Sequence, residues 1–489
     1  MASAADILRL PPELVLRVSS NLNTPDLGAF RRTCKQIETN LFESFAREFF
    51  TKRQFMIEHV SLEALVGIAN HKTLAPYLTE VIIGCDYLRH HEQGNYSRLE
   101  RDLSGQIERG MFTETGHARD MLVDAFSNLP NLRTVGLRDY NATGRYRDGE
   151  NALWRSYGWS TGLSEDGLRI AGRDTLKLGT ATPDFIFPLL LLALGQAASR
   201  PAHIDVFLRG QRLPDKSFNV LAGYMSPKVE PVLSNLRTLL LSLNDSLSVS
   251  SHDAPHDKLK RFLRHIPVLE HLRLNFRTGM NANTLLEWLG APYDPSPPLH
   301  GSVQLKYLTT LDLGLLSADP AVLLPIIAKF PLTSLSLWKV SLQPSGALLL
   351  LPDSNMWTPF LKRLGNFISR PLEFKALMIG YPVDGARNTT TFFRDAGPVQ
   401  FAGKITTDAY GEKVFEDLQS QVTYRKRFGS DVRTWLEDLA SRTHLPDQNG
   451  QEVDSSDESE EEDSDLDAVD EMMDDDDDDD DDDEDDEDA

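Results

Sequence analysis

Nucleophilic thiol chemistry in this chain would have to use one of two cysteines, Cys34 and Cys85. A thiolate could act as a nucleophile and carry an acyl group as a thioester. Cys34 follows Leu27 and Phe30 on one face of a predicted helix, and Cys85 comes at the end of a predicted strand. Both positions indicate small buried hydrophobic residues. The low count also excludes a disulfide scaffold and a cysteine-rich zinc site.

Motifs for other reactions are absent from the sequence. No nucleophile elbow, phosphate-binding loop, dinucleotide-binding glycine motif or zinc-protease motif occurs. His90 and His91 form an isolated pair in a polar stretch, where a histidine is more often solvated than bound to a metal. The sequence therefore predicts a protein that is not an enzyme, with no catalytic residue, metal ion or cofactor.

The C-terminal tail could be modified by acidophilic kinases. Ser455, Ser459 and Ser464 each stand three positions before an acidic residue, and phosphorylation would add about −1.5 to −2 charges at each. Residues 452–488 hold 27 Asp and Glu and no Lys or Arg, so removing them from a net charge of −24 leaves +3. Residues 446–489 are predicted to be disordered. This tail could attract a basic protein electrostatically, or it could only keep the protein in solution.

The rest of the chain has the composition of a folded protein in a reducing compartment, either cytoplasmic or nuclear. Hydrophobic residues make up 40% of the chain. The longest apolar stretch, residues 185–194, contains Pro188 and is shorter than the roughly 20 residues of a spanning helix. Residues 1–8 lack the basic segment of a signal peptide. The basic run at 424–428 is typical of a solvated helix face. Neither a membrane nor a nucleic acid is predicted as a partner.

Three short helices are predicted within residues 1–50. The first helix is predicted to open in the run Leu10-Pro11-Pro12-Glu13, because proline suits the first turn of a helix. Thr24 is predicted to cap the second helix ahead of Pro25. Helices of this length cannot bury all their apolar surface, so a partner surface is expected. The third helix has apolar residues at four-residue steps, namely Ile37, Leu41, Phe45 and Phe49.

A short pattern with apolar residues at its positions 1, 4 and 6 recurs through residues 51–385. It is typical of the strand of a leucine-rich repeat, and its last two apolar residues share a strand face. Successive matches start 24 to 104 residues apart, whereas regular repeats take about 20–29 residues. The pattern predicts a degenerate solenoid with insertions, and leucine-rich strands of another α/β fold stay open as the alternative. The matches start at Leu78, Leu132, Leu236, Leu269, Leu308, Leu332 and Phe374.

Connecting segments are predicted from composition. Residues 141–174 are polar and lack periodicity, which predicts long loops. Ser61 is predicted to cap a helix before the first match. Residues 386–445 are predicted to be a loop followed by a helix over 410–440. The predicted fold class is therefore an α+β or α/β repeat protein, with a three-helix unit (1–50), a degenerate leucine-rich-repeat solenoid (51–385), the segment 386–445 and the disordered acidic tail.

The N-terminal residues resemble the F-box. Residues 61–88 and 122–157 also look similar to fungal F-box proteins with irregular leucine-rich repeats. The sequence departs from the family at Thr33, where an aliphatic residue is usual, and at Ile37, where tryptophan is frequent. The residues that carry the resemblance, in the family's order, are Leu10, Pro11, Glu13, Leu14, Val18, Leu22, Asp26, Leu27, Phe30, Cys34 and Lys35.

The resemblance implies the substrate-recognition subunit of an SCF-type cullin–RING ubiquitin ligase, whose partners are the adaptor, the cullin and a protein substrate of unknown identity. Trp154, Tyr157 and Trp159 form an aromatic cluster that could bind the substrate or pack against the body. The alternative function is an acidic-tailed chaperone or scaffold for basic nuclear proteins. The residues implied to face the adaptor, each of which could instead pack in the helical core, are Leu10, Pro11, Leu14, Val18, Leu22 and Leu27.

Overall fold

The computed structural model of the chain describes the greater part of residues 7–440. No described helix is long and apolar enough to cross a membrane. The described residues are 7–87, 110–143, 145–149, 152–159, 179–180, 182–244, 257–293, 302–342, 357–367, 373–383, 387–391, 405–407 and 413–415, together with 433, 436, 437 and 440.

Three helices follow a 3-10 turn at Ile7–Arg9, as predicted: α1 (Pro12–Ser19), α2 (Thr24–Arg31) and α3 (Lys35–Phe50). The predicted cap of α2 is wrong by one residue, because the Asn23 side chain accepts the Asp26 backbone N–H at 2.8 Å. Thr24 is instead the first residue of α2, and its hydroxyl donates to Asp148 at 2.6 Å.

A ten-stranded sheet forms the body of the protein. Its first nine strands are parallel and lie in chain order, and the last strand is antiparallel at the edge. The strands are β1 (Lys52–Met56), β2 (Glu80–Gly84), β4 (Thr134–Arg138), β8 (His203–Phe207), β9 (Thr238–Ser242), β10 (His271–Asn281), β11 (Thr310–Ala318), β12 (Ser334–Leu342), β13 (Glu373–Val383) and β14 (Arg387–Thr391).

Helices lie between successive strands. Their side chains share one hydrophobic core with one face of the sheet, so the body is an α/β region built on a parallel sheet. The helices are α4 (His59–Ala69), α5 (His117–Ser127), α6 (Pro183–Gln196), α7 (Ser226–Leu233), α8 (Asp257–Arg264), α9 (Asn283–Gly290), α10 (Pro320–Lys329) and α11 (Trp357–Phe367).

Among the described residues, three small antiparallel pairs lie outside the main sheet: β3 (Asp86–Tyr87) with β7 (Gly179–Thr180), β5 (Ala142–Thr143) with β6 (Leu153–Trp154), and β15 (Ile405–Thr407) with β16 (Lys413–Phe415). Strands β14 and β15 replace part of the predicted loop, and β16 replaces part of the predicted helix at 410–440.

The repeated apolar pattern coincides with strands throughout. All seven matches lie on strands of the main sheet. Residues at the fourth position of the pattern pair with one another across neighbouring strands, so that the side chains of Val81, Val135, Leu239, Leu272, Leu311 and Leu335 lie in the core. The six leucines at the first position are buried, and each lies two residues ahead of its strand.

Besides β14, two strands of the sheet, β1 and β8, were not predicted. Arg53 of β1 pairs with Val81 of β2, so a charged residue stands where the pattern requires an apolar one. In β8, Ile204 and Val206 fit the pattern, but Pro201 takes the place of the first leucine. Both strands form because neighbouring strands pair with them through backbone hydrogen bonds. This pairing is a tertiary effect.

The helix after β1 begins earlier than predicted. α4 starts at His59, and Ser61 lies inside it. The Ser61 hydroxyl is buried and accepts the Met56 backbone N–H at 3.0 Å. The predicted cap is therefore wrong, because the Ser61 side chain binds the end of β1 instead of the start of α4.

Candidate functional site

The N-terminal helices leave apolar side chains on their surface. Leu14 and Val18 lie one turn apart on the same face of α1 and are 45% and 41% exposed. Ile7 and Leu8 of the preceding turn are also exposed, as is Pro11. We call these five residues the α1 surface. Several large apolar residues exposed within a few turns of so small a unit mark an interaction surface.

The six residues predicted to face an adaptor differ in how far their side chains are buried. Pro11, Leu14 and Val18 are exposed, Leu10 and Leu22 are half-buried against the helical core, and Leu27 lies within that core at 3% exposure. The placement of Leu27 favours the packing alternative for that residue. The core itself consists of Val15, Leu27, Ile37, Leu41 and Phe49.

Both cysteines are packing residues. Cys34 is half-buried against the core of the three-helix unit, ahead of α3. Cys85 is fully buried in the core of the body. These positions agree with the prediction that each cysteine packs as a small hydrophobic residue. The predicted helical position of Cys34 is wrong, because α2 ends at Arg31 and Cys34 has an extended backbone.

A short turn at Tyr146–Asp148 joins the three-helix unit to the body. Arg147 Nη1 donates to the carbonyl oxygens of Ser19, at 3.0 Å, and Leu22, at 2.6 Å, around the C-terminal end of α1. The same guanidinium forms a two-pronged ion pair with Glu48 of α3. One arginine thus binds two helices and satisfies carbonyl groups that a helix end leaves without partners.

Asp148 adds a third attachment. Its carboxylate accepts the backbone N–H of Thr24 at 2.8 Å and the Thr24 hydroxyl at 2.6 Å, at the N-terminal end of α2, where a negative charge is favoured. The Arg145 guanidinium lies 4.2 Å from the centre of the Phe49 ring of α3. We call Arg145, Arg147 and Asp148 the clamp. It lies in a segment that was predicted only as a loop.

The predicted aromatic cluster follows the clamp along the chain. Trp154 lies on β6 and is half-buried. The Tyr157 backbone N–H donates to the Gln54 carbonyl of β1 at 2.8 Å, so this residue covers the edge strand of the sheet. The Arg155 guanidinium lies 4.2 Å from the centre of the Trp159 ring. The backbone bond accords with packing against the body, and a role of the three residues in substrate binding stays a prediction.

Charged side chains occupy the face of the sheet that points away from the helices. They alternate with core leucines, as Arg273 does between Leu272 and Leu274. A residue of this kind inside the apolar pattern is the sequence signal that would have marked this face. We call it the polar face, and its members are Arg138, Asp205, His271, Arg273, Asp312 and Ser336.

His271 and Asp312 form a hydrogen-bonded pair on the polar face. The His271 Nε2 and Asp312 Oδ2 atoms are 2.6 Å apart across neighbouring strands. Burial opposes ionisation of Asp312, but the hydrogen bond to His271 and the charges of His271 and Arg273 outweigh it and hold the pKa of Asp312 below its ordinary value. Asp312 is therefore ionised at neutral pH.

Asp205 differs from Asp312 in its surroundings. The residue is half-buried, and its Oδ1 atom is shielded from solvent without a hydrogen-bond partner. Burial, with the negative charge of Glu80, raises the pKa of Asp205 to about 7, although Arg138, Lys52 and His271 favour ionisation. This carboxyl group changes charge close to neutral pH.

Replacement of Asp205 by Asn should remove a pH dependence of stability. The Asp205 carboxyl ionises near pH 7 in the folded protein but near pH 4 in the unfolded chain, so wild-type stability falls as pH rises between those values. Above about pH 7, Asp205→Asn should raise the free energy of unfolding by about 2–4 kcal/mol. Urea titrations from pH 5 to about pH 8 measure both slopes.

Asp312→Asn is the matched control for this experiment, because the pKa of Asp312 is lowered instead. It should destabilise the protein at neutral pH, since ionised Asp312 is stabilised in the folded state. Equal pH slopes for the wild type and Asp205→Asn would contradict the raised pKa of Asp205.

The N-terminal geometry has a counterpart among known protein families. Residues 7–39 match the family model of the F-box domain. These N-terminal helices form an F-box. The match begins at the 3-10 turn and ends within α3, so it contains the whole α1 surface. It does not reach the body, whose resemblance to fungal F-box proteins with leucine-rich repeats stays a prediction.

Other comparisons add little. No curated protein matches the chain. A chain from a crystal structure of the yeast Rad7 and Elc1 complex is 14% identical over 70% of this chain and 91% of that chain, with a TM-score of 0.19.

Loss of Arg147 should loosen the F-box from the body. The Arg147 side chain is only 11% exposed, so Arg147→Met removes a buried partner of Glu48 and of two carbonyl groups and should lower the free energy of unfolding by about 2–4 kcal/mol. Arg47→Met is the control, since its ion pair with Glu43 is about two-thirds exposed and should contribute less than about 0.5 kcal/mol. Equal urea midpoints for the two variants would show that the clamp does not stabilise the protein.

Several predicted features lie outside the described residues: His90, His91, Ser455, Ser459, Ser464, the basic run at 424–428 and the acidic tail. Within the described part of the chain, no group of three or more His, Cys, Asp or Glu side chains is placed to hold a metal ion.

Proposed function

We propose that this chain is a non-catalytic substrate-recognition subunit of an SCF-type cullin–RING ubiquitin ligase. The F-box binds the adaptor, and the body holds a protein substrate. The subunit brings a substrate lysine close to a charged conjugating enzyme, so its contribution is position and effective concentration.

The observation that carries the proposal is the α1 surface on a matched F-box. Leu14 and Val18 are exposed on α1, although the helices bury a core of their own. Burial of apolar surface drives most protein association, and such residues are the expected anchors of an adaptor interface. Pro11 starts the helix that presents them.

The body suits a substrate-holding role. Parallel strands in chain order, six of them preceded by a buried leucine, support a solenoid of irregular leucine-rich repeats. In this proposal the polar face is the substrate surface, because the opposite face of the sheet packs against the helices. The clamp attaches the F-box to the body, and a fixed attachment is what a proximity mechanism needs.

Reconstitution tests the proposal. The full chain is co-expressed with the adaptor and the cullin, and complexes are analysed by size-exclusion chromatography with light scattering. We expect one complex with a single copy of each protein. Elution of the chain apart from adaptor and cullin, at concentrations of about 10 μM where a specific interface of standard size is occupied, would overturn the proposed function.

A further inference from the structure

The start of α2 carries a sequence that protein kinases recognise. Thr24 is followed directly by Pro25, and a hydroxyl residue before a proline is the acceptor of proline-directed kinases. Thr24 is half-buried, whereas Pro25 and Asp26 are exposed. The segment therefore faces solvent, where a kinase can bind it.

Local preference holds this end of α2 only weakly. The residue before a proline is disfavoured in the helical region, and the first N–H groups of a helix have no partner within the helix. The Thr24 N–H obtains its partner from Asp148 of the clamp, at 2.8 Å. The first turn of α2 thus depends on a contact from outside the helix, and segments held by few contacts open most readily.

The Thr24 hydroxyl is itself a clamp contact. It donates to Asp148 Oδ2 at 2.6 Å, across 124 positions of the chain. A kinase would transfer the γ-phosphoryl group of ATP to Thr24 Oγ1. The bond from the γ-phosphorus to the oxygen that bridges it to the β-phosphorus breaks, a bond to Oγ1 forms, the hydroxyl proton passes to the catalytic base of the kinase, and ADP leaves. The product has no hydrogen on Oγ1 to donate to Asp148.

A phosphate on Thr24 would also repel Asp148. Phosphothreonine carries about −1.5 to −2 charges at neutral pH, and a phosphate placed next to a carboxylate breaks the contact by like-charge repulsion. The arginines of the clamp are already engaged. Arg147 binds Glu48 and two carbonyl groups at the end of α1, and the Arg145 guanidinium lies 4.2 Å from the centre of the Phe49 ring.

Comparison with two similar sites shows what is particular to Thr24. Thr182 is also followed by proline and aspartate, and its side chain hydrogen-bonds Asp184 of the adjoining helix. Ser226, which also precedes a proline, donates to Glu230 one turn along its own helix. Phosphorylation of either residue would change bonds within one helix. At Thr24 it would break a contact between the F-box and the body.

We propose that Thr24 is a phosphorylation site for proline-directed protein kinases, and that its phosphate displaces Asp148 and loosens the F-box from the body. The modification and its structural effect do not depend on adaptor binding. Within the proposed function, they give a kinase control over how rigidly the substrate is held, because proximity requires a fixed attachment.

Phosphorylation of the purified chain tests the site. The full chain is incubated with a proline-directed serine/threonine kinase and ATP, and peptide mass spectrometry maps the phosphate groups. We expect phosphate on Thr24 in the wild type and none there in Pro25→Ala, which removes the recognised residue and keeps a good helix former. Thr182 is the internal reference. Phosphate on Thr182 but not on Thr24, or on neither residue, refutes the site.

Hydrogen exchange tests the structural effect. Backbone amides of residues 23–27 and 145–149 should exchange at least about tenfold faster in the phosphorylated chain, because a hydrogen bond to a charged group stabilises by that factor or more. Amides of β11 should exchange at the same rate in both forms. Equal or slower exchange of residues 145–149 after phosphorylation refutes the displacement of Asp148.

Matched variants assign the effect to Thr24. Phosphorylation should not change the exchange of Thr24→Val, in which only other sites react, and it should keep its full effect in Thr182→Val. Pro25→Ala replaces Thr24→Val if that variant unfolds at a lower temperature than the wild type. Asp148→Asn should reduce the effect, since the amide does not repel a phosphate. Equal effects in Thr24→Val and Thr182→Val refute the proposal.

Adaptor binding is measured on the same preparations. An unmodified chain that binds no adaptor refutes the proposed function and leaves the result at Thr24 standing. A chain that binds the adaptor but takes no phosphate on Thr24 refutes the phosphorylation site alone.

Discussion

The double variant Leu14→Asp/Val18→Asp should lose adaptor binding by a factor of about 100 or more, since each apolar contact contributes about 1–3 kcal/mol and the new charges oppose burial. The fold should stay intact because both side chains are exposed on α1. Isothermal titration with purified adaptor measures the affinity, and thermal unfolding checks the fold.

Tyr224→Asp is the matched control, because Tyr224 is 82% exposed on the body and receives the same charge. It should bind the adaptor like the wild type. Wild-type affinity in the double variant would remove the α1 surface from the interface. Leu27→Ala makes a further contrast, since loss of this core leucine should unfold the F-box instead of weakening a contact.

Replacement of Leu311 by Asp should have the largest effect on stability. Leu311 is fully buried, and it pairs with Leu272 on one side and Leu335 on the other. A carboxylate at this position should lower the free energy of unfolding by more than about 4 kcal/mol, through lost apolar contact and an unpaired charge. Soluble yield and the urea midpoint measure the loss.

Tyr307→Asp introduces the same charge four residues earlier, where the side chain is 56% exposed. It should change stability by less than about 0.5 kcal/mol. If Leu311→Asp were as stable as Tyr307→Asp, the leucine pattern would not form the core of the sheet. Leu311→Ala should fall between them, at about 2–5 kcal/mol.

The sequence predicted elements whose signals are contained in consecutive residues. The four-residue apolar steps of α3 predicted its helix, and the apolar pattern starting at Leu308 predicted β11. The ordered set from Leu10 to Lys35 also predicted the F-box, which the family match over residues 7–39 confirms. Each of these predictions depends on the spacing of apolar residues and on the types of nearby residues. Each can therefore be made without knowing the fold.

The sequence-based predictions failed where local structure depends on more than the properties of a single residue. β1 carries Arg53 at a core position of the pattern and still joins the sheet, because β2 offers its edge. In β1 a contact from another part of the chain outweighed the local preference. The cap of α2 was misplaced for a local reason, because Asn23 and Thr24 are both favourable cap residues and the Asn23 side chain makes the bond.

Some candidate sites could be predicted from neighbouring residues in the sequence, whereas others form only through tertiary contacts. Leu14 and Val18 of the α1 surface lie one turn apart on one helix, so the sequence alone placed them together. The clamp joins Arg147 to Glu48 across 99 positions of the chain. Arg138 and Phe207 meet only through the pairing of β4 with β8. Strand pairing depends on burial of the whole sheet against its helices. The free energy of that burial comes from residues spread along the chain, so no short stretch of sequence predicts it. Tertiary structure alone therefore decided which distant charged side chains and aromatic rings contact each other.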